Sequence, residues 1–388
     1  MPTETHELPV TKLTHGPKLH WFGYYDKFPW DVSGRWLLAM ETDFDERSPK
    51  PGETIRLGRL DLQGDRTFQP FAETAAWNWQ QGTHLQWLPG QPDTVIYNTL
   101  AGDRFAAVVH NLATGAKREL PLPIYAVSRS GRQAVTLNFS RVASTRPGYG
   151  YNALPQLAGP DLPDDDGVWS MDLATGDHRL LFSVRQIQEM GTTEAMAGAR
   201  HWFNHLQYST DDSRFVFLHR WRHDVKRFYT RMFTANPDGS DVWMLNDKGA
   251  SHFDWQGPKQ ILCWSPYRDE GLRYVLYHDL TREMQVVGAD VFQTDGHCSY
   301  SPDGKWMLTD TYPDKELKRT LILYNIAENR RVNIGRFWSR PVNPPDPHQE
   351  VRVDLHPRWS RDGRSVCFDS THEGERQMYL IDVSPVVG

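Results

Sequence analysis

Five histidines stand in one repeated context. Imidazoles drawn from separate parts of a chain are common raw material for metal centres and acid–base sites. The clearest copy is Asp295-Gly296-His297-Cys298-Ser299-Tyr300-Ser301-Pro302-Asp303-Gly304, and a second is Asp354-Leu355-His356-Pro357-Arg358-Trp359-Ser360-Arg361-Asp362-Gly363. Shorter copies are Asn204-His205-Leu206-Gln207-Tyr208-Ser209, Ser251-His252-Phe253-Asp254-Trp255 and Thr83-His84-Leu85-Gln86-Trp87. A single histidine in such a place is readily explained by local hydrogen bonding. Five at one end of a shared axis need a metal, an anionic ligand or an arranged hydrogen-bond network.

Two further groups could do chemistry. Arg220-Trp221-Arg222-His223, then Lys226-Arg227 and Arg231, form a cationic cluster. As a solvated loop it is unremarkable in kind; as a site it suits carboxylate capture, because the planar arginine fork engages both oxygens. Asn138-Phe139-Ser140-Arg141 followed by Arg146-Pro147-Gly148-Tyr149-Gly150-Tyr151 places Arg and Tyr between glycines, as a substrate-facing loop would. No nucleophile elbow, P-loop or dinucleotide fingerprint occurs in a fitting context, and no glycosidase-like carboxylate pair stands out.

The elements that must position these residues follow from the repeat. Its starts fall at Lys27, His84, Ile124, His205, His252, His297 and His356, at intervals of 57, 40, 81, 47, 45 and 59 residues. About 40–50 residues is the length of a four-stranded propeller blade. Short apolar second strands follow each start (Trp36–Met40, Phe215–Leu218, Trp306–Thr309), and third strands end in Thr-Gly or Asp-Gly turns, as adjacent antiparallel strands require. The fold class is therefore all-β: a seven-bladed β-propeller in one domain, residues 1–388, with an insertion around 152–203 that holds the only helical periodicity, near 184–199. The seventh repeat stops one strand short at Gln377–Asp382, and the N-terminal run Leu8–Leu13 is expected to close the ring.

Bulk properties narrow the function classes. The chain has 388 residues, 39% hydrophobic and 24% charged, as a globular protein has, and its net charge of −6 argues against broad nucleic-acid binding. Cys263, Cys298 and Cys367 each lie beside apolar residues and read as buried thiols. No apolar run approaches a membrane span and the N-terminus carries no export signal, so the expected location is cytoplasmic, or periplasmic if a leader was removed. The 12% aromatic content fits both inter-sheet packing and sugar stacking. The acidic run at 161–166 reads as a solvated loop, and the Pro-rich stretch 341–347 as a rigid loop leading into the last repeat.

Along this frame the chain resembles the oligogalacturonate lyases, seven-bladed propellers that eliminate across uronate sugars. The resemblance is carried by His20-Trp21-Phe22-Gly23-Tyr24-Tyr25-Asp26-Lys27-Phe28 in the first blade, by Arg231-Met232-Phe233 before Asn236-Pro237-Asp238-Gly239, and by the histidine frame. It implies a catalytic role for Arg231, channel histidines at His205 and His252, and metal ligation by His297 and His356. Where the family has a further histidine ligand this chain has Asp354, and Gln349 is nearest to the family's glutamine ligand. A divalent metal is implied, with Mn, Ca or Zn as candidates. The half from Trp77 to Tyr151 is more similar to the related ulvan and rhamnosyl-glucuronate lyases, which implies roles for His84, Tyr149 and Arg220.

These readings converge on a carbon–oxygen lyase that cleaves a uronate-containing glycan by β-elimination, as monomer or homodimer, with no nucleic-acid or membrane partner. His84 or His252 would be the base and Tyr149 the acid, or both. Arg146, Arg220, Arg222 and Asn138 would bind substrate, with Arg231 as a further clamp. Two other classes compete. One is a non-catalytic propeller module like those of transport and protease systems; the other is a glycosidase using Asp26, Asp254 or Asp354 across the channel mouth.

Overall fold

The computed structural model describes residues 3–224, 227–341 and 350–388. Gln349, one expected ligand, and Lys226 lie outside the described residues. Seven antiparallel sheets follow one another around an axis. Their first strands are Leu19–Trp21, Gln86–Trp87, Ala126–Val127, Arg200–Tyr208, Phe253–Trp255, Ser299–Tyr300 and Arg358–Trp359, which define blades one to seven.

In blades six and seven the Ser-x-Asp-Gly phrase makes the turn that leaves the innermost strand. In blade six Ser301 Oγ donates to Asp303 Oδ1 at 2.6 Å and accepts from the Trp306 amide at 3.0 Å, while Gly304 takes φ 71°. Blade seven repeats this with Ser360, Asp362 and Gly363 (φ 72°). The serine and aspartate satisfy backbone donors that a bare turn would orphan, and glycine accepts the left-handed backbone without a Cβ penalty.

The ring closes as expected. Val10–Lys12 pairs antiparallel with the Gln377–Asp382 strand as the fourth strand of blade seven, with Val10 opposite Ile381. Upstream, Glu4–Thr5 adds a short parallel strand to blade six. The blades pack through large apolar side chains between sheets: Trp21, Trp77 and Trp79 meet with ring centroids 4.9–5.9 Å apart, and Phe182, Phe217 and Phe233 stack between blades three and four. Fully burying each such side chain contributes about 1.5–3 kcal/mol.

The long interval before His205 is organised in two excursions. The first, 137–166, contains a helix Phe139–Thr145 between the second and third strands of blade three; the second, 184–199, contains a helix Val184–Glu189. Between them Gly167–Asp172 and His178–Ser183 complete that blade. The Phe139–Thr145 helix has no sequence periodicity long enough to announce it: it spans seven residues and is held by its Asn138 cap. In blade one the regular innermost strand precedes the Lys27 start, and Trp30 makes only an isolated bridge to Leu37. All three cysteines are buried and unpaired. Among the described residues no helix is long and apolar enough to cross a membrane.

Candidate active site at the channel mouth

The innermost strands begin at one end of the axis, and four of the five histidines gather there around two tyrosines. His252 and His297 lie 4.1 Å apart between ring centroids, and His297 and His356 4.4 Å. Tyr24 stacks on His205 at 5.2 Å and meets His356 edge-on at 4.9 Å; Tyr25 lies 5.3 Å from His297. His84 stands behind this group. Its ring contacts Tyr125 and Phe139, its Nδ1 hydrogen-bonds the Tyr125 carbonyl at 3.1 Å, and it is linked to His205 through Tyr125 and Gln81. The backbone also divides the set. His84, His205 and His356 adopt left-handed φ of 54°, 53° and 41°, a conformation that is uncommon for a side-chain-bearing residue and is met most often where function holds it.

One side of the mouth is a candidate metal centre. Ligand atoms of His297, Asp354 and His356 all lie within 4.8 Å of one another, and Asp354 Oδ2 is 3.9 Å from Nε2 of each histidine. His297 Nδ1 is bonded to both oxygens of Asp310 at 2.8 and 3.0 Å, which fixes that nitrogen as the N–H and leaves Nε2 as a lone pair. That Nε2 and both ring nitrogens of His356 are buried without a partner. Burying such groups unpaired is costly, so two orphaned imidazoles facing a carboxylate fit a divalent cation. Gly296 permits the arrangement: a Cβ there would collide with the Asp310 carbonyl oxygen and push His297 off its carboxylate. Asp354 is already compensated. Arg352 Nε and an Arg319 terminal nitrogen each approach it at 2.7 Å, and although burial opposes ionisation, these arginines hold its carboxyl well below the usual range.

The opposite side is cationic and lacks a counter-charge. Arg220, at the end of the second strand of blade four, is 4% exposed, and its Nε and Nη1 have no hydrogen-bond partner. Its guanidinium lies over Phe228 at 4.8 Å, and Arg146 lies over the same ring at 4.7 Å. Among the described residues neither arginine is ion-paired with a carboxylate. Burial, and then Arg146, lower the Arg220 pKa to about 10, so it stays charged at neutral pH at a cost. Tyr149 joins the two sides: its hydroxyl accepts from Arg352 at 2.7 Å, its ring lies 5.5 Å from His205, and Arg146 covers it at 4.8 Å.

His252 is oriented by a carboxylate. Its Nδ1 is 3.0 Å from Asp295 Oδ1, and Ser251 Oγ donates to the other oxygen of the same carboxylate. Burial lowers its pKa although Asp295 opposes the shift. A neutral ring with Nδ1–H held by Asp295 presents Nε2 as an acceptor. His205 is held neutral more strongly, by burial and by Arg220.

Three expected substrate contacts lie elsewhere. Arg231 donates to the carbonyls of Ile187, Met190 and Gly191 at 2.8–2.9 Å and to His219 Nδ1; it caps the Val184–Glu189 helix and lines a cavity between blades four and five, outside the histidine group. Asn138 caps the other helix and bonds Asp166. Arg222 donates to the Ser144 carbonyl and ties that helix to blade four. The three aspartates considered for a glycosidase are also split. Asp354 is at the mouth, whereas Asp26 and Asp254 line the cavity beside the Ser301–Gly304 turn at the far end of the innermost strands. Burial raises Asp254 to about 6 there.

Sequence reasoning missed Tyr24, Tyr25, Asp295, Asp310, Arg319 and Arg352. For two of these a signal existed: Arg352, Asp354 and His356 alternate, which in extended chain puts them on one side. Asp310 directly follows the apolar second strand of its blade.

Such a molecule belongs to the class of seven-bladed propellers with a polar, histidine-rich centre on the axis. No family model matches the sequence, and no curated protein matches it either. Solved structures do. An oligogalacturonate lyase from Vibrio parahaemolyticus is 16% identical, with a TM-score of 0.68 over 97% of this chain and 94% of that one. An oligogalacturonate lyase in complex with manganese is 18% identical at the same TM-score, over 97% and 93%. The tricorn protease aligns with 95% of this chain but 36% of its own, at 11% identity and a TM-score of 0.52. At these identities the likeness establishes the fold.

Proposed function

We propose that this propeller is a lyase that cleaves a uronate-containing oligosaccharide or polysaccharide by β-elimination, leaving an unsaturated uronate. The observation that carries the reading is Arg220: a buried guanidinium with unpaired nitrogens, joined by Arg146 on one aromatic ring, beside the channel histidines, of which burial lowers the pKa of His205 and His252. A buried charge without a partner is destabilising unless a ligand supplies one. A sugar carboxylate matches that need in charge and geometry.

The chemistry follows from the same groups. The C5 proton of a uronate is weakly acidic until its carboxylate is neutralised. Arg220 and Arg146 would bind that carboxylate and stabilise the charge that grows on it as the proton leaves. His252 Nε2, with Nδ1 oriented by Asp295, would take the C5 proton. Tyr149 would protonate the departing C4 oxygen, because Arg352 occupies its lone pair and leaves the O–H to donate. Each positioned proton transfer is worth about 10²–10⁴ in rate. His84 supports the site through Tyr125. A divalent cation at His297, Asp354 and His356, for which manganese suits the mixed imidazole and carboxylate donors, would add Lewis-acid stabilisation of an anionic oxygen.

The test is direct. Incubation with pectic, ulvan-type and gum-type oligosaccharides should produce the ultraviolet absorbance of a C4–C5 unsaturated uronate in at least one case. Absence of that band across all three sinks the proposal.

A further inference from the structure

A cavity of about 880 Å³ opens between blades four and five, beyond the groups used above. Its walls carry Trp221, Tyr229, Trp264 and Met244, with Arg227 and Lys248. It meets the mouth at two places. One is Phe228, the ring on which Arg146 and Arg220 both stack. The other is the Ser251–Asp295 pair that orients His252. A chain-like ligand held by the arginine pair and reacting at His252 therefore has this cavity as its continuation.

The lining fits sugar rings better than a purely apolar ligand. Aromatic side chains offer flat faces for the C–H side of a pyranose, and the polar groups can meet its hydroxyls. The volume lies in the upper part of the range for organic ligands, more than one ring requires. The charge balance favours an acid: Arg227, stacked over Tyr229 at 4.9 Å, Lys248 and Arg231 line the cavity with two carboxylates, Asp247 and Asp295, and Asp295 is already engaged by Ser251 and His252. Among the described residues neither Arg227 nor Lys248 is ion-paired, as the arginine pair is not.

We infer that this cavity binds the next one or two sugar residues of an acidic glycan, with a second uronate carboxylate received by Arg227 and Lys248. The inference rests on the lyase reading but is tested separately from it. Di- and tetrasaccharides of galacturonate, and of alternating rhamnose and glucuronate, are compared in two assays: cleavage by ultraviolet absorbance, and binding by tryptophan fluorescence, for which Trp221 and Trp264 report. The tetrasaccharide of one series should exceed its disaccharide by about 10-fold or more in kcat/KM and in affinity, the size of effect that one good subsite supplies. Tyr229→Ala, and the pair Arg227→Glu with Lys248→Glu, should remove that gap while leaving disaccharide cleavage within about 2-fold. Cleavage with no length dependence overturns the subsite and leaves the lyase reading. Length-dependent binding that these variants abolish, without cleavage of either series, upholds the subsite and overturns the lyase. Neither binding nor cleavage overturns both.

Discussion

Replacing Arg220 with methionine should lower activity and raise stability together. In the folded protein burial and Arg146 bring the Arg220 pKa from 12.5 to about 10. For a base this means that the charged form is penalised in the native state. Below pH 10 the side chain is protonated in both folded and unfolded chains, so the penalty is fully present at pH 7. It amounts to roughly 3 kcal/mol. Against it stands the contact with Phe228, worth about 1–2 kcal/mol when desolvated. Arg220→Met relieves the first and forfeits the second, for a net gain of about 1–2 kcal/mol. In a chain of this length each kcal/mol moves Tm by about 2 °C or less, so the melting temperature should rise by about 1–4 °C. If Arg220 neutralises the substrate, kcat/KM on a cleaved uronate oligosaccharide should fall by 10²–10³, the effect of removing one charge-stabilising donor. Scanning calorimetry supplies the first number and the ultraviolet assay the second. Free uronate should stabilise the wild type and leave the variant unmoved. A variant that melts several degrees lower would refute the reasoning, because Arg220 would then be a structural cation with a partner in the fold.

Three further outcomes follow from the geometry. Asp310→Asn removes the carboxylate that fixes His297 Nδ1, and manganese affinity by titration calorimetry should drop about 10–100-fold with little change in secondary structure. Stability should fall on acidification below pH 6.5. His84, His201 and His219 are buried with lowered pKa values, so the unfolded chain takes up protons first; His201, brought to about 4 chiefly by burial, alone costs about 2 kcal/mol at pH 5. A Tm that does not change between pH 8 and pH 5 would contradict this. Gly150→Ala should inactivate by displacing Tyr149, because the new Cβ would collide with the Ala143 amide and the Phe139 carbonyl of the adjacent helix; loss of cleavage with a Tm lowered by only a few degrees is the expected pair of observations.

The blade frame was legible because it is written locally. Ser301, Asp303 and Gly304 make their turn with one another, so the phrase carries its own structure wherever it stands. The convergence of His205, His252, His297 and His356 follows from the frame once the seven blade starts are aligned. What sequence did not carry is the pairing across blades. Arg231 reads as a site residue by its neighbours in the chain, yet its partners are carbonyls forty residues upstream. Asn138 reads as a polar loop residue, but the backbone it meets starts a helix too short to leave a periodic pattern. Arg319 and Arg352 passed unnoticed because their meaning depends on Asp354, which one of them meets from another blade.

Under the proposed lyase reaction, that last pair would decide where a substrate carboxylate binds. The mouth holds two sets of arginines, and proximity to the histidines alone would not choose between them. Arg319 and Arg352 are already matched by Asp354, whose two oxygens they share, and Arg352 spends a further N–H on Tyr149. A carboxylate arriving there would displace a buried carboxylate already in place, and gain little. Among the described residues Arg220 and Arg146 have aromatic rings beneath them, Phe228 shared by both and Tyr149 under Arg146, and no carboxylate partner. A carboxylate arriving between them removes a penalty that the fold already carries, so the binding is favoured by the cost of the empty state as well as by the new hydrogen bonds. With the anion fixed on that side, the proposed elimination would place the reacting carbon within reach of His252 and Tyr149, with the His297–Asp354–His356 group as the remaining neighbour.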